Sequence, residues 1–221
     1  MFSKRILNLL LAAGLCSTGP FLSSNSAQAH PHVFAEANLE LLSNDNGGLE
    51  EIRHVWRFDE FFSASVLIDF DANSNLKLDP EELKEIGDVV HKSLAEFGYY
   101  TELVVNGQSV AMAAPDMIIA DYVDDQLLMF FAMSPAHPLK LEGKVSVGVF
   151  DPTFYASIDF LNDTDLKFTG PFADQCKKSV LRPDPDEVLA QNQGSLTDAF
   201  YDDQENNDIS KLFATRLEVS C

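Results

Sequence analysis

The sequence predicts an α+β fold, in which antiparallel, sandwich-like β-sheets are interrupted once by an inserted helix–loop–helix. First, apolar and polar residues alternate along most segments, and turn signals recur about every ten residues. Second, two neighbouring segments, 59–70 and 80–97, have apolar residues at helical spacing. Third, no crossover helices separate the later strands, as a parallel α/β sheet would require.

Residues 1–29 have the features of a secretory signal peptide. Basic residues precede an apolar run at 6–15, and a small-residue triplet ends at Ala29. We therefore expect cleavage after Ala29 and a periplasmic, single-domain chain of 192 residues (221 − 29), spanning 30–221. The apolar run is shorter than the roughly 18 residues of a membrane span, so no membrane anchor is predicted.

The predicted mature chain opens with a β-hairpin. Residues 32–42 alternate between apolar and polar side chains, and 44–48 have the composition of a turn. Residues 49–58 then alternate again through Ile52 and Trp56. This is the pattern of two half-buried antiparallel strands.

Two helical segments follow and form the predicted insertion at 59–97. Their apolar residues recur every three to four positions, at Phe62, Val66 and Phe70 and then at Leu83, Ile86, Val90, Leu94 and Phe97. A helix pair this apolar needs cover, so we expect both stripes to pack against the sheet.

The twelve residues 71–82 between these helices have the ligand pattern of an EF-hand calcium loop. Such a loop supplies oxygens at positions 1, 3, 5, 7 and 9 and a bidentate carboxylate at position 12. With only three charged ligands, we predict weak Ca²⁺ binding, with a Kd of about 10⁻⁴–10⁻³ M. The predicted ligands are Asp71, Asn73, Asn75, the backbone carbonyl of Lys77, Asp79 and Glu82.

Position 6 of this loop departs from the pattern, because Leu76 stands where the sharp turn favours glycine. A positive φ at leucine costs roughly 1–2 kcal/mol. An alternative explains part of the segment without metal, since Asp79, Pro80 and Glu82 have the composition of a capped helix start. Capping does not account for the oxygen-bearing residues upstream, such as Asp71.

After residue 97 the sequence returns to strand patterns, except in one stretch. Residues 182–210 contain two prolines, many Asp and Asn residues and few large apolar ones, which predicts a mobile acidic excursion. Strands are predicted at 99–105, 109–113, 116–123, 127–133, 139–150, 155–161 and 212–219.

The predicted mature chain keeps two cysteines, Cys176 and Cys221. In an exported protein an even number of cysteines favours a disulfide, which would stabilise this fold by about 4 kcal/mol. Metal-ligating thiolates are the competing interpretation, although neither cysteine has a Cys or His at ligand spacing.

The predicted mature N-terminus is a candidate transition-metal site. Cleavage would place a free α-amino group beside the His30 imidazole, and these two nitrogens can chelate one ion. Pro31 lacks an N–H, so it blocks chelation by successive backbone amides and favours a geometry that presents His32. His137, in a polar turn, is the candidate to complete a site for Zn²⁺, Cu²⁺ or Ni²⁺. A disordered terminus without metal is the alternative.

No catalytic motif is present in the sequence, and we predict no enzymatic activity. It lacks a nucleophile elbow, a phosphate loop, a dinucleotide fingerprint and a His-Glu-x-x-His helix. Removing Lys4 and Arg5 with the leader takes the formal net charge from −20 to −22. This charge repels nucleic acid and anionic lipid and attracts divalent cations without selecting one.

Several segments together resemble the domain-of-unknown-function 1007 family, over nearly all of the mature chain. The resemblance implies an exported bacterial protein, of a kind often described as the periplasmic component of an ABC-type transport system and often encoded beside divalent-metal transporters. The family usually has glycine where this chain has Leu76. The segments that carry the resemblance are 30–34 (His-Pro-His-Val-Phe), 56–63 (Trp-Arg-Phe-Asp-Glu-Phe-Phe-Ser), 69–71 (Asp-Phe-Asp), 96–100 (Glu-Phe-Gly-Tyr-Tyr), 151–155 (Asp-Pro-Thr-Phe-Tyr), Cys176 and Cys221.

We therefore expect a periplasmic divalent-metal-binding accessory protein of a metal transport system, with a membrane metal transporter as partner. Two alternatives remain open. One is a calcium-stabilised structural or interaction module without a transition-metal role. The other is a copper redox enzyme that uses the N-terminal histidine.

Overall fold

A computed structural model of the chain describes residues 31–192 and 209–221. The α+β prediction is confirmed, because two β-sheets are combined with a helix–loop–helix inserted after the second strand. The predicted signal peptide and His30 lie outside the described residues, as do residues 193–208.

The elements, in chain order, are β1 (Val33–Ser43), β2 (Gly48–Phe58), α1 (Glu60–Phe70), α2 (Pro80–Leu94), β3 (Thr101–Val105), β4 (Gln108–Val110), β5 (Ile119–Val123), β6 (Gln126–Met133), β7 (Leu139–Lys140), β8 (Lys144–Val149), β9 (Ala156–Asp159), β10 (Leu166–Thr169), β11 (Lys177–Leu181), α3 (Pro185–Gln191) and β12 (Arg216–Ser220).

The opening hairpin of β1 and β2 forms as predicted. The two strands pair antiparallel, with Ala37 opposite Trp56 and Leu41 opposite Ile52. These four side chains are buried on one face, while alternate residues of β1 such as Glu36 face solvent. The period of two read from the sequence therefore sets both the register and the buried face.

The first sheet has seven strands and is not purely antiparallel, which corrects the prediction. Along its main path the strand order is β10-β1-β2-β6-β5, and β7 and β9 extend it beside β2 and β1. Both β9 and β10 pair with β1 in parallel, with Val33 opposite Ala156 and Leu39 opposite Leu166. Between β1 and its parallel partners the chain passes through the helices and strands of the second sheet. The sequence therefore contains no short strand–helix–strand unit from which this parallel pairing could be predicted.

The second sheet has five strands in the order β11-β12-β8-β3-β4, all paired antiparallel. It takes only half of the predicted strand 139–150. That segment breaks at Gly143, which has a φ of 79°, so that β7 joins the first sheet and β8 the second. The Asn106 side chain braces this corner by accepting the N–H of Lys144 and donating to the carbonyl of Glu142.

Side chains of both sheets belong to one cluster of buried residues. It joins Ile52 and Trp56 of β2 to Leu103 of β3, Val147 of β8 and Leu217 of β12. The apolar faces of the two sheets therefore share a core, as a sandwich-like arrangement requires.

Both helices pack against the first sheet, as predicted. The Ser63 hydroxyl, fully buried in α1, donates to the carbonyl of Asp59 and accepts the N–H of Leu127 in β6. On α2, Gly87 lies directly over the backbone carbonyl of Ile118, beside β5. None of the helices in the described part of the chain is long and apolar enough to cross a membrane.

Residues 182–192, the first part of the predicted acidic excursion, are more ordered than predicted. They contain helix α3, which begins where the Asp184 carboxylate accepts the N–H groups of Asp186 and Glu187. Pro185 at the first helical position suits this start. Beyond residue 208 the chain forms a short 3₁₀ turn and then β12, four residues later than the predicted strand start at 212.

Candidate metal centre

The loop between α1 and α2 is positioned by helices whose first residues are capped. The Asp59 carboxylate accepts the N–H groups of Phe61 and Phe62, which fixes the start of α1 at the end of β2. The Asp79 carboxylate does the same for α2 through the N–H groups of Glu81 and Glu82. Both ends of the loop are therefore held by elements that pack on the sheet.

Asp71, the first predicted ligand, organises the first half of the loop. Its two carboxylate oxygens accept the N–H of Asn75 at 3.0 Å and the N–H of Leu76 at 2.7 Å. The side-chain oxygen of Asn73 also accepts the N–H of Asn75, at 3.1 Å. The side-chain oxygen of Asn75 accepts the N–H of Lys77 at 2.8 Å. The backbone is thus wrapped around the oxygen-bearing side chains.

Leu76 adopts the left-handed conformation that position 6 demands, with a φ of 61°. Ser74, two residues earlier, also has a positive φ, 60°, which was not predicted from the sequence. Leu76 is 76% exposed, so its side chain finds space in solvent. The left-handed φ at Leu76 carries the cost of roughly 1–2 kcal/mol that leucine has in this region.

Glu82, the predicted twelfth-position ligand, closes the loop from the other side. It is 6% exposed, and its two oxygens accept the N–H of Ala72 and the N–H of Asp79, each at 2.9 Å. The amide of Asn73 lies 3.4 Å from Glu82 and 3.2 Å from Asp79. The capped helix start considered as the alternative is present, and it uses the same two carboxylates as the predicted site.

The carboxylates of this loop are not arranged so that they alone could coordinate a cation. Among residues 31–192 and 209–221, no group of three or more His, Cys, Asp or Glu side chains is placed to hold a metal ion. An ion in this loop would therefore depend on the amide and backbone oxygens as well, which is the ligand mixture that Ca²⁺ accepts and Zn²⁺ does not favour.

His32 is exposed just before β1, where it contacts Tyr155. The His32 backbone N–H donates to the Tyr155 carbonyl at 2.8 Å, and the two rings have centroids 5.2 Å apart. The start of the described chain is thus tied to the residue before β9. Its predicted partner His30 lies outside the described residues.

His137 is not brought near His32. It follows β6, whose last residue Met133 pairs with Ile52, and Ile52 pairs with Leu41 near the carboxyl end of β1. The two histidines therefore lie at opposite ends of an eleven-residue strand, about 33 Å apart at about 3.3 Å per residue. The predicted N-terminal site is reduced to His30 and His32.

The two other histidines, His54 and His91, are packed or hydrogen-bonded within the fold. His54 is buried, its ring stacks on Phe131 with centroids 4.4 Å apart, and burial lowers its pKa to about 3. His91 on α2 has its Nε2 atom 2.7 Å from the Pro115 carbonyl and 3.4 Å from the Tyr99 hydroxyl. A neutral, enclosed imidazole such as His54 is a core residue and not an accessible ligand.

Asp151 organises the turn between β8 and β9. It is 3% exposed, and it accepts the N–H groups of Thr153 and Ala156, each at 2.8 Å. Burial and, next, the Asp151 carboxylate raise the pKa of Tyr100, whose ring stacks on Trp56 with centroids 6.2 Å apart. The Asp151 carboxylate therefore holds the turn between β8 and β9 through its hydrogen bonds.

Cys176 and Cys221 are bonded to each other, which confirms the disulfide prediction. The bridge lies beside the pairing of Lys177 with Ser220, so it holds the start of β11 against the end of β12. Thiolates at these positions are therefore not metal ligands. A disulfide is typical of a chain that folds in an oxidising compartment.

The fold and the loop define a class of protein, an α+β protein with two β-sheets and one helix–loop–helix inserted after the first hairpin. The family model described as a protein of unknown function, DUF1007, matches residues 15–221. The chain belongs to the DUF1007 family. Among curated proteins, none matches the sequence.

Proposed function

We propose that this protein is an exported, divalent-cation-binding accessory protein whose 71–82 loop binds calcium weakly, in the manner of an EF-hand. One observation carries the proposal. Leu76 holds a left-handed φ of 61° while the Asp71 carboxylate accepts the N–H groups of Asn75 and Leu76. A left-handed residue at this position supports the proposal, because a calcium loop usually has glycine there for its sharp turn.

The residue types fit a hard cation. Carboxylate, amide and carbonyl oxygens suit Ca²⁺, and a bound ion would offset the repulsion between three carboxylates in a chain of formal net charge −20. Affinity is expected to be weak, because the Glu82 oxygens must exchange their hydrogen bonds from Ala72 and Asp79 for the ion. The proposed ligands are Asp71, Asn73, Asn75, the Lys77 carbonyl, Asp79 and Glu82.

We also propose a periplasmic location and service to a divalent-metal transport system through a membrane transporter. The signal-peptide pattern of residues 1–29 supports export, and the acidic composition supports attraction of cations. The resemblance of segments of this chain to the DUF1007 family, whose members are often described as components of transport systems, supports the transport role. His30 and His32 are the proposed ligands through which Zn²⁺, Cu²⁺ or Ni²⁺ would be handed over.

The calcium proposal is tested by thermal unfolding of the mature chain with and without calcium. A ligand at ten times its Kd stabilises the folded state by about 1.4 kcal/mol, or about 3–6 °C in Tm for a domain of this size. Glu82→Gln should remove this gain. Glu81→Gln is the matched control, because Glu81 is exposed, adjacent and not a proposed ligand. Equal calcium shifts in wild type and Glu82→Gln, or no shift in wild type, would refute the proposal.

The histidine proposal needs correctly processed protein that begins at His30. Calorimetric titration with Zn²⁺, Cu²⁺ and Ni²⁺ should give tighter binding to this form than to a form with one additional N-terminal alanine, and tighter than to His32→Ala. His137→Ala should bind as wild type does. Equal affinity in all forms would leave the calcium-stabilised module as the better description.

A further inference from the structure

The first turn of α1 leaves a large aromatic side chain in solvent. Phe62, Val66 and Phe70 belong to the packed face of the helix, but Phe61 is 90% exposed. Single exposed apolar residues are common on proteins. Phe61 is different because other exposed apolar side chains surround the same space.

A cleft lies between the first turn of α1 and the outer face of the seven-stranded sheet. It is lined by Phe61, by Phe34 of β1, which is 53% exposed, and by Leu161, which follows β9 and is 58% exposed. Backbone hydrogen bonding fixes these walls, since the Asp59 N–H donates to the Phe34 carbonyl at 2.9 Å. We call this feature the Phe61 cleft.

Carboxylates surround the Phe61 cleft. Glu36, Glu60 and Asp159 line it, together with the capping carboxylate of Asp59, and Arg57 is the cation among its lining residues. Arg57 is partly occupied, because its guanidinium donates to the side-chain oxygen of Gln126 at 3.2 Å. The cleft therefore combines three exposed apolar side chains with a set of carboxylates, here called the acidic rim, of which Asp159 also lies 4.0 Å from the Arg182 guanidinium.

We propose that the Phe61 cleft binds a partner-protein segment that carries bulky apolar side chains flanked by lysine or arginine. The apolar groups would cover Phe34, Phe61 and Leu161, and the basic groups would face the acidic rim. Charge complementarity decides between occupants. A second copy would bring the same carboxylates together, and an anionic lipid surface would be repelled by a chain of net charge −20.

This inference is independent of calcium. The cleft is at the amino end of α1, whereas the 71–82 loop follows its carboxyl end, and the helix is eleven residues long. At about 1.5 Å per residue the two features are about 16 Å apart. Loss of calcium binding in Glu82→Gln should therefore leave binding at the cleft unchanged, so the two proposals can fail separately.

The test is fluorescence anisotropy of the mature protein with a labelled peptide in which a central Leu-Phe-Leu-Phe segment is flanked by lysines. One control peptide has glutamate in place of lysine, and another has serine in place of Leu and Phe. The protein variants are Phe61→Ser and, as a matched control, Ile68→Ser, which removes a 75% exposed apolar side chain from the same helix outside the cleft. Circular dichroism checks that both variants keep the fold.

We expect wild type and Ile68→Ser to bind the lysine-flanked peptide equally and Phe61→Ser to bind at least tenfold more weakly, with neither control peptide binding. Absence of wild-type binding would overturn the proposal. So would equal binding by Phe61→Ser, or equal binding of the serine peptide, which would indicate attraction by charge alone. Self-association of wild type that Phe61→Ser abolishes, measured by light scattering, would instead assign the cleft to a second copy. Binding to anionic vesicles that Phe61→Ser abolishes would assign it to a membrane.

Discussion

Replacing Gly87 by alanine tests how closely α2 approaches the sheet. Gly87 is in the middle of α2, where alanine would ordinarily stabilise a helix by about 1 kcal/mol. A Cβ atom at this position, however, would lie 2.2 Å from the carbonyl oxygen of Ile118. Since an ordinary contact begins at 3.4 Å, α2 and the backbone at Ile118 must separate by about 1.2 Å (3.4 minus 2.2).

The obstacle is backbone, so no rotamer change can relieve the contact. Overpacking of this kind typically costs about 1–3 kcal/mol, and the gain in helix propensity offsets about 1 kcal/mol of it. Because the 2.2 Å approach is to rigid backbone, the cost falls in the upper half of that range, about 2–3 kcal/mol. We therefore expect Gly87→Ala to lower the free energy of unfolding by about 1–2 kcal/mol, which is about 2–8 °C in Tm for a domain of this size.

The assay is urea unfolding of the mature chain, with Ser93→Ala as the matched control. Ser93 is exposed on the same helix, and its hydroxyl donates only to the Val89 carbonyl one turn earlier. Ser93→Ala gains helix propensity without meeting the sheet, so its stability should stay the same or rise slightly. If Gly87→Ala were as stable as Ser93→Ala, the close approach of α2 to the backbone at Ile118 would be refuted.

Two further predictions concern the core and the disulfide. Reduction, or replacement of Cys176 and Cys221 by serine, should destabilise the fold by about 4 kcal/mol, because the chain-entropy relation gives this value for a sequence separation of 45 residues. Intact mass after alkylation checks the bond, and two free thiols in freshly exported protein would contradict it. The His54 pKa of about 3 lies below its unfolded value near 6.5, so stability is lost as pH falls through this window. His54→Leu should lose less stability on acidification than wild type, by about 1.4 kcal/mol per pH unit between about pH 6 and 4, and equal slopes would contradict the burial argument.

The parts of the fold that sequence reasoning predicts well are governed by local chemistry. Alternation through Ile52 and Trp56 identifies β2 and its buried face, because the period of two is decided by burial on one side. The capping residues Asp79, Pro80 and Glu82 identify the start of α2, where the predicted cap is present. The oxygen pattern from Asp71 to Glu82 identifies a loop whose hydrogen bonds are made by the predicted side chains.

The parts that it misses depend on distant contacts. The break at Gly143 is decided by Asn106, which belongs to another hairpin and hydrogen-bonds both sides of the corner. The sequence contains a helix start signal for α3, an N-cap Asp184 followed by Pro185. The acidic composition of the surrounding segment nevertheless favoured the prediction of a mobile stretch. The separation of His137 from His32 follows from sheet register, which alternation within single strands does not specify.

The parallel pairing of β1 has a consequence for the order of folding. Val33 pairs with Ala156 and Leu39 with Leu166, which are 123 and 127 residues away along the chain. The hairpin of β1 and β2 can form early, but the far edge of β1 gains its partners only after most of the chain has been synthesised. Formation of such distant contacts requires closure of long loops and is slow. The strand that directly follows the predicted leader is therefore among the last to be completed, which would suit the export in an unfolded state that we propose for this chain.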